Sequence, residues 1–162
     1  QTCTNTICQG LFTITMGVYT KKYDTIVDRL ISECAIYPAF DIDTTKVLPK
    51  GFKTLKAVWD TGADTTCIHP RIVKELGLEP YGQMEIEGYG GVEIDDTYAV
   101  HLKLPTGDWA FCMEVSASDN LKSFDIIIGM DVIGFGDFCF TNKDEKSCFS
   151  FRIPSQEHIE LK

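Results

Sequence analysis

From residue 35 onward, apolar and polar residues alternate or gather in short runs between turn residues, the pattern of strands packed on one face or buried on both. Residues 35–42 form the first such segment. A turn around Pro49-Lys50-Gly51 leads into the second, residues 52–59, where Leu55, Ala57, Val58 and Trp59 supply the apolar side chains. Residues 83–87 and 92–104 pair around a glycine-rich tip, with Val100, Leu102 and Leu104 in strict alternation. The turn Pro105-Thr106-Gly107-Asp108 then returns the chain as a strand over 109–115. Two stretches break this two-residue period. Pro70 and Gly77 bracket Ile72, Val73 and Leu76 as a short helix. Tyr23, Ile26, Val27, Leu30 and Ile31 fall at i, i+3, i+4, i+7 and i+8, which predicts an amphipathic helix with Asp24, Asp28 and Arg29 outward. Before it, residues 11–18 read as a strand. The sum is an all-β, barrel-like domain over 35–162 with one or two short helices, preceded by an N-terminal extension over 1–34.

The 162 residues suit one domain with a sizeable core, and 44% hydrophobic with 11% aromatic residues is the make-up of an ordinary globular protein. A formal net charge of −9 repels nucleic acid and anionic membrane surfaces, and Lys21-Lys22 is the one adjacent basic pair. No apolar run approaches the ~20 residues that span a bilayer. Neither nucleic acid nor a membrane is therefore expected as a partner. The seven cysteines, Cys3, Cys8, Cys34, Cys67, Cys112, Cys139 and Cys148, form no C-x-x-C pair and no zinc-ligand cluster with the three histidines. Neither a metal nor another cofactor is expected. Phe111-Cys112-Met113 and Phe138-Cys139-Phe140 predict buried, reduced thiols at Cys112 and Cys139, hence a reducing, cytoplasmic setting. Cys3 and Cys8 are left open to pairing.

The apolar run 52–59 ends on Asp60-Thr61-Gly62-Ala63. A strand end followed by glycine presents a carboxylate from a fixed backbone, because glycine adopts turn conformations that a Cβ resists. Alone, Asp-Thr-Gly is an ordinary turn. Downstream, however, stand Gly88-Tyr89-Gly90-Gly91 and then Phe124-Asp125-Ile126-Ile127-Ile128-Gly129. One carboxylate with an ordinary pKa near 4 serves as acid or as base, whereas amide hydrolysis needs both at once. Two carboxylates about 3 Å apart share one proton, so the ionised one takes a proton from water while the protonated one activates the carbonyl. These residues hold no second Asp-Thr-Gly or Asp-Ser-Gly. A pair that includes Asp60 thus calls for a two-fold dimer, which sets identical residues opposite each other. Cys67 and His69, two residues apart, make a poor nucleophile pair, since neighbouring positions of this kind point apart.

Acid turn, glycine-rich hairpin and Ile-Ile-Gly, in that order, resemble the retropepsin-like aspartic proteases over roughly residues 35–153. The resemblance implies a closed acid-protease barrel and a homodimeric aspartic endopeptidase that cuts an extended peptide or protein substrate without a cofactor. Transferred by position, Asp60, Thr61 and Gly62 make the catalytic turn, with Thr61 in a hydrogen-bonded brace beneath the two acids. Gly62 and Ala63 then shape the cleft floor and Asp64 holds the substrate backbone. Gly88, Tyr89, Gly90 and Gly91 form the tip of a closing flap, and Ile127 lines a pocket. Met130-Asp131 departs from the Arg-Asn of viral members and points to the cellular or bacterial branch. The same fold also implies an alternative, a non-enzymatic dimerisation or binding module. For residues 1–34 three roles stand open: a cover over the cleft, an extension of the dimer contact, or a thickening of the core.

Overall fold

Strand propensity and turn chemistry divide the residues described by the computed structural model (16–41, 44, 45, 47, 49–88, 91–107, 109–119 and 121–162) into ten strands and two short helices. The order is β1 (Gly17–Lys22), β2 (Leu30–Pro38), β3 (Phe52–Trp59), β4 (Cys67–Ile68), α1 (Pro70–Leu76), β5 (Gly82–Gly88), β6 (Gly91–Lys103), β7 (Trp109–Ala117), β8 (Ile126–Ile128), α2 (Met130–Ile133), β9 (Asp137–Lys143) and β10 (Lys146–Ile153). The class is all-β. Seven strands pair in the order β2-β3-β8-β4-β7-β6-β5, and β2 also pairs with β6, so the chain of pairings returns to its starting strand. The other three form a sheet ordered β1-β10-β9.

The two-residue period decides what this architecture buries. In β3, Leu55, Ala57 and Trp59 point inward, and in β10 Phe149, Phe151 and Ile153 do the same. Both phenylalanines are fully buried, each worth roughly 1.5–3 kcal/mol of hydrophobic stabilisation. The three-stranded sheet thereby packs on the strand that leads into Asp60. Trp59 is the joint, with ring centroids 5.2 Å from Phe149 and 4.7 Å from Phe151, and its Nε1 donates to Ser32 Oγ at 2.9 Å.

Several expectations are corrected. No helix forms over residues 23–31: these lead as a loop into β2, which begins at Leu30. Three backbone groups of the loop bond instead to Ser147 of β10. Tyr23 N donates to Ser147 O, Val27 N to Ser147 Oγ, and Ser147 N to Thr25 O. Helical spacing without the helical ladder is not enough. The strand expected over 35–42 starts earlier and ends at Pro38, while that expected over 11–18 lies mostly outside the described residues, with β1 starting at Gly17. Cys112 and Cys139 are half-buried, and among the described residues the most deeply buried thiol is Cys34. Cys3 and Cys8 lie outside the described residues. The helix from Pro70 is present as α1, capped by His69 at its start and by Gly77 at φ 63° at its end.

Past β10 the chain is tied back to the first residue of β9. Asp137 accepts from Ser155 Oγ at 2.6 Å, from Gln156 N at 2.9 Å and from Arg152 Nε at 2.7 Å. These bonds hold its carboxyl down at about 2. Because the folded value lies below that of the unfolded chain, the stability Asp137 contributes is complete above about pH 4 and is lost as pH falls towards 2. Asp137→Asn is therefore expected to lower the melting temperature at neutral pH. The gap to wild type should close steadily below about pH 4, a trend that thermal melts across this range would check.

Candidate active site

Asp60 is the first residue past β3, and it is fixed from three directions. Its N–H donates to Ile128 O at 3.0 Å, its Oδ1 accepts from Gly62 N at 2.8 Å, and its C=O accepts from Ala63 N at 3.2 Å. The carboxylate is nonetheless exposed, as are Thr61 and Gly62. A strand anchored by Trp59 and a turn closed by Gly62 thus hold a solvent-facing acid in one place.

Behind the turn lies a brace that sequence reasoning missed. Thr66 is fully buried; its N–H donates to Asp131 Oδ2 at 2.8 Å and its hydroxyl to Asp131 Oδ1 at 2.7 Å. The same hydroxyl accepts from Gly129 N at 3.1 Å. Met130 N donates to Ala63 O at 2.8 Å and Asp131 N to Asp64 O at 3.1 Å, so α2 grips the loop that follows Asp60. The available signal was Asp131 itself, a carboxylate two residues after Ile-Ile-Gly, noticed only as a departure from the viral pattern. Gly129 is required by close approach: a Cβ there would sit 2.7 Å from the backbone C and O of Thr65 and 2.9 Å from Ala63 O. Gly129→Ala is expected to cost about 1–3 kcal/mol, since backbone on both sides must give way. Urea unfolding would check it.

A recess of about 730 Å³ opens beside the acid, lined by Val58, Trp59, Asp60, Thr61, Ile127 and Phe138 among others. Val27, Asp28, Arg29 and Leu30 form another part of its wall. Ile127 is half-buried, with Val58 of β3 and Cys67 of β4 as its pairing neighbours. Ala63 is half-buried and Asp64 exposed, both beside Asp60. Gly88 and Gly91 face each other at the end of the β5–β6 hairpin, where Gly91 takes φ 114°. Tyr89 and Gly90, the remainder of the expected tip, lie outside the described residues. His69 spends its Nδ1 capping α1, accepting from Arg71 N at 3.1 Å. Burial pushes the Cys67 thiol up to about 11, the wrong direction for a nucleophile. Among the described residues, no group of three or more His, Cys, Asp or Glu side chains is arranged to hold a metal, and no helix is long and apolar enough to cross a membrane.

The family model described as aspartyl protease matches residues 46–132. No curated protein matches the chain. Among solved structures, a retropepsin-like aspartic protease from Rickettsia conorii is similar at 12% identity and a TM-score of 0.48, over 86% of this chain and 96% of that one. EIAV protease in an inhibitor complex is similar at 21% identity and a TM-score of 0.46, over 65% and 86%. The Simian Foamy Virus (mac) protease is similar at 23% identity and a TM-score of 0.44, over 65% and 93%.

Proposed function

The chain belongs to the aspartyl protease family, and from that premise we propose that it is an aspartic endopeptidase whose Asp60 works with the Asp60 of a second copy across a two-fold axis. The observation that carries this reading is the exposed Asp60 carboxylate held by Gly62 N–H at 2.8 Å beside a recess of mixed polar and apolar lining. In a homodimer the two carboxylates share one proton. The ionised member deprotonates a water, the protonated one polarises the scissile carbonyl, and the amide breaks without a metal or other cofactor. Thr61, exposed beside Asp60, braces the pair from each side, and Gly62 with Ala63 forms the floor on which the peptide lies. Asp64 binds substrate backbone, Ile127 contacts a substrate side chain, and the hairpin tip of Gly88, Tyr89, Gly90 and Gly91 closes over the peptide. In this reading residues 35–162 are the protease domain. The extension 1–34 contributes to the wall of the recess through Val27, Asp28, Arg29 and Leu30.

The test is cleavage of an unstructured protein from pH 4 to 7 by wild type and by Asp60→Asn, with a statine-type inhibitor as control. Activity that is fastest at mildly acid pH, blocked by the inhibitor and absent in the variant is expected. Cleavage by Asp60→Asn, or by a strictly monomeric protein, would defeat the shared-proton mechanism. A dimer that cleaves nothing at any pH would leave the binding-module reading in its place.

A further inference from the structure

The sheet beyond Ile127 carries polar groups that the hydrolytic chemistry leaves unused. Register fixes their order: Ile127 pairs with Cys67, Cys67 with Ser116 of β7, and Ser116 with Thr97 of β6. Their chain neighbours Ile68, Val115, Ile126 and Ile128 lie in the core, so alternation turns Cys67, Ser116 and Ile127 to the opposite face. Asp95 stands two residues before Thr97 and shares its face, paired with Met84 of β5. Glu93, paired with Ile86, follows on the same face towards the hairpin tip.

Two independent features of this row are unusual. Ser116 is 1% exposed, and among the described residues its hydroxyl has no hydrogen-bond partner, which is uncommon for a buried polar group. Thr97, fully buried next to it, donates to Glu114 instead. Asp95, for its part, is half-buried and makes no ion pair among the described residues. Burial is the main influence on the Cys67 thiol and the Ile127 backbone the next, with the charges of Asp131, Asp60 and Asp95 adding smaller effects.

We propose that this row is a substrate subsite for a cationic side chain, Lys or Arg, with the Asp95 carboxylate as counter-ion and Ser116 Oγ as a second acceptor. The inference rests on the protease reading and names the class of peptide it acts on. A lysine or arginine stem lies along Met84 and Ile86 while its charged head reaches the acceptors. A glutamate is repelled by Asp95 and Glu93, and a leucine leaves both acceptors without a partner.

The test is a peptide series with one cleavable bond, carrying Lys, Leu or Glu at each nearby position in turn. Wild type is expected to cleave the Lys peptide with kcat/KM roughly tenfold above the Leu peptide at one or more positions, an advantage that shrinks as salt rises. In Asp95→Asn the Lys-to-Leu ratio falls close to one, and in Asp95→Lys the Glu peptide overtakes the Lys peptide. A merely structural role for Asp95 would lower all three rates together and leave their order intact. If wild type cleaves none of the peptides, it is the protease reading that fails. The same peptides then report on the subsite through fluorescence anisotropy, with the same order of binding and the same loss in Asp95→Asn expected. Equal rates or affinities for Lys and Leu at every position, or a Lys preference that survives Asp95→Asn, would overturn the proposal.

Discussion

Asp60→Asn is expected to lower kcat for peptide hydrolysis by about a thousandfold or more, with little change in melting temperature. The two outcomes separate because the carboxylate has two tasks. Its structural task is to accept Gly62 N–H, 2.8 Å from Oδ1, and an asparagine oxygen at the same position accepts equally well. In the proposed mechanism its chemical task is to share one proton with its copy, and an amide does neither half of that work. The side chain is exposed, so exchanging it buries no unpaired polar group. Mixing wild type with the variant tests the assembly. When an excess of dimer forms at random from equal amounts of wild type and variant, about half the wild-type subunits find a variant partner. A fixed amount of wild type should then retain about half its activity. Unchanged activity would mean that one chain suffices.

The second large effect falls on stability. Asp131→Ala is expected to cost about 2–4 kcal/mol, because it strands the N–H and the hydroxyl of a fully buried Thr66. Asp131→Asn keeps one acceptor oxygen for the N–H but turns its amide on a hydroxyl that has to donate, so an intermediate loss of about 1–2 kcal/mol is expected. Urea unfolding of the two variants gives the comparison. Near-equal losses would show that charge, not hydrogen-bond count, holds the brace. The alanine variant should also lose activity below its melting point, since α2 holds the carbonyls of Ala63 and Asp64 immediately after the acid. Thr66→Val should reproduce part of the stability loss, as it leaves the N–H bond in place.

The elements legible in the sequence are those with a local cause. β3 occupies Phe52–Trp59 because its apolar positions alternate and a glycine turn stops it. α1 runs from Pro70 to a left-handed Gly77 because each end carries its own signal. The β9–β10 hairpin is the instructive omission. Phe149, Phe151 and Ile153 alternate as a strand should, yet the turn is Asp144-Glu145, both at positive φ without a glycine. That pair does not announce a two-residue turn, although aspartate tolerates the conformation. The helix expected over residues 23–31 fails in the opposite sense. Its spacing is helical, but Ser147, far along the chain, supplies the partners that a helix would have found within itself.

The candidate site divides along the same line. The sequence by itself determined the acid turn Asp60-Thr61-Gly62, the glycines of the hairpin and the apolar run through Ile127, because each depends on conformational limits acting within a few residues. Only the tertiary structure decided that Thr66 and Asp131 clamp the turn, that residues 27–30 wall the recess, and that Ser116 and Asp95 share a face with Cys67. Those relations join residues distant in the chain through strand register and buried hydrogen bonds, which exist once the sheets have closed and have no counterpart in any short stretch of sequence.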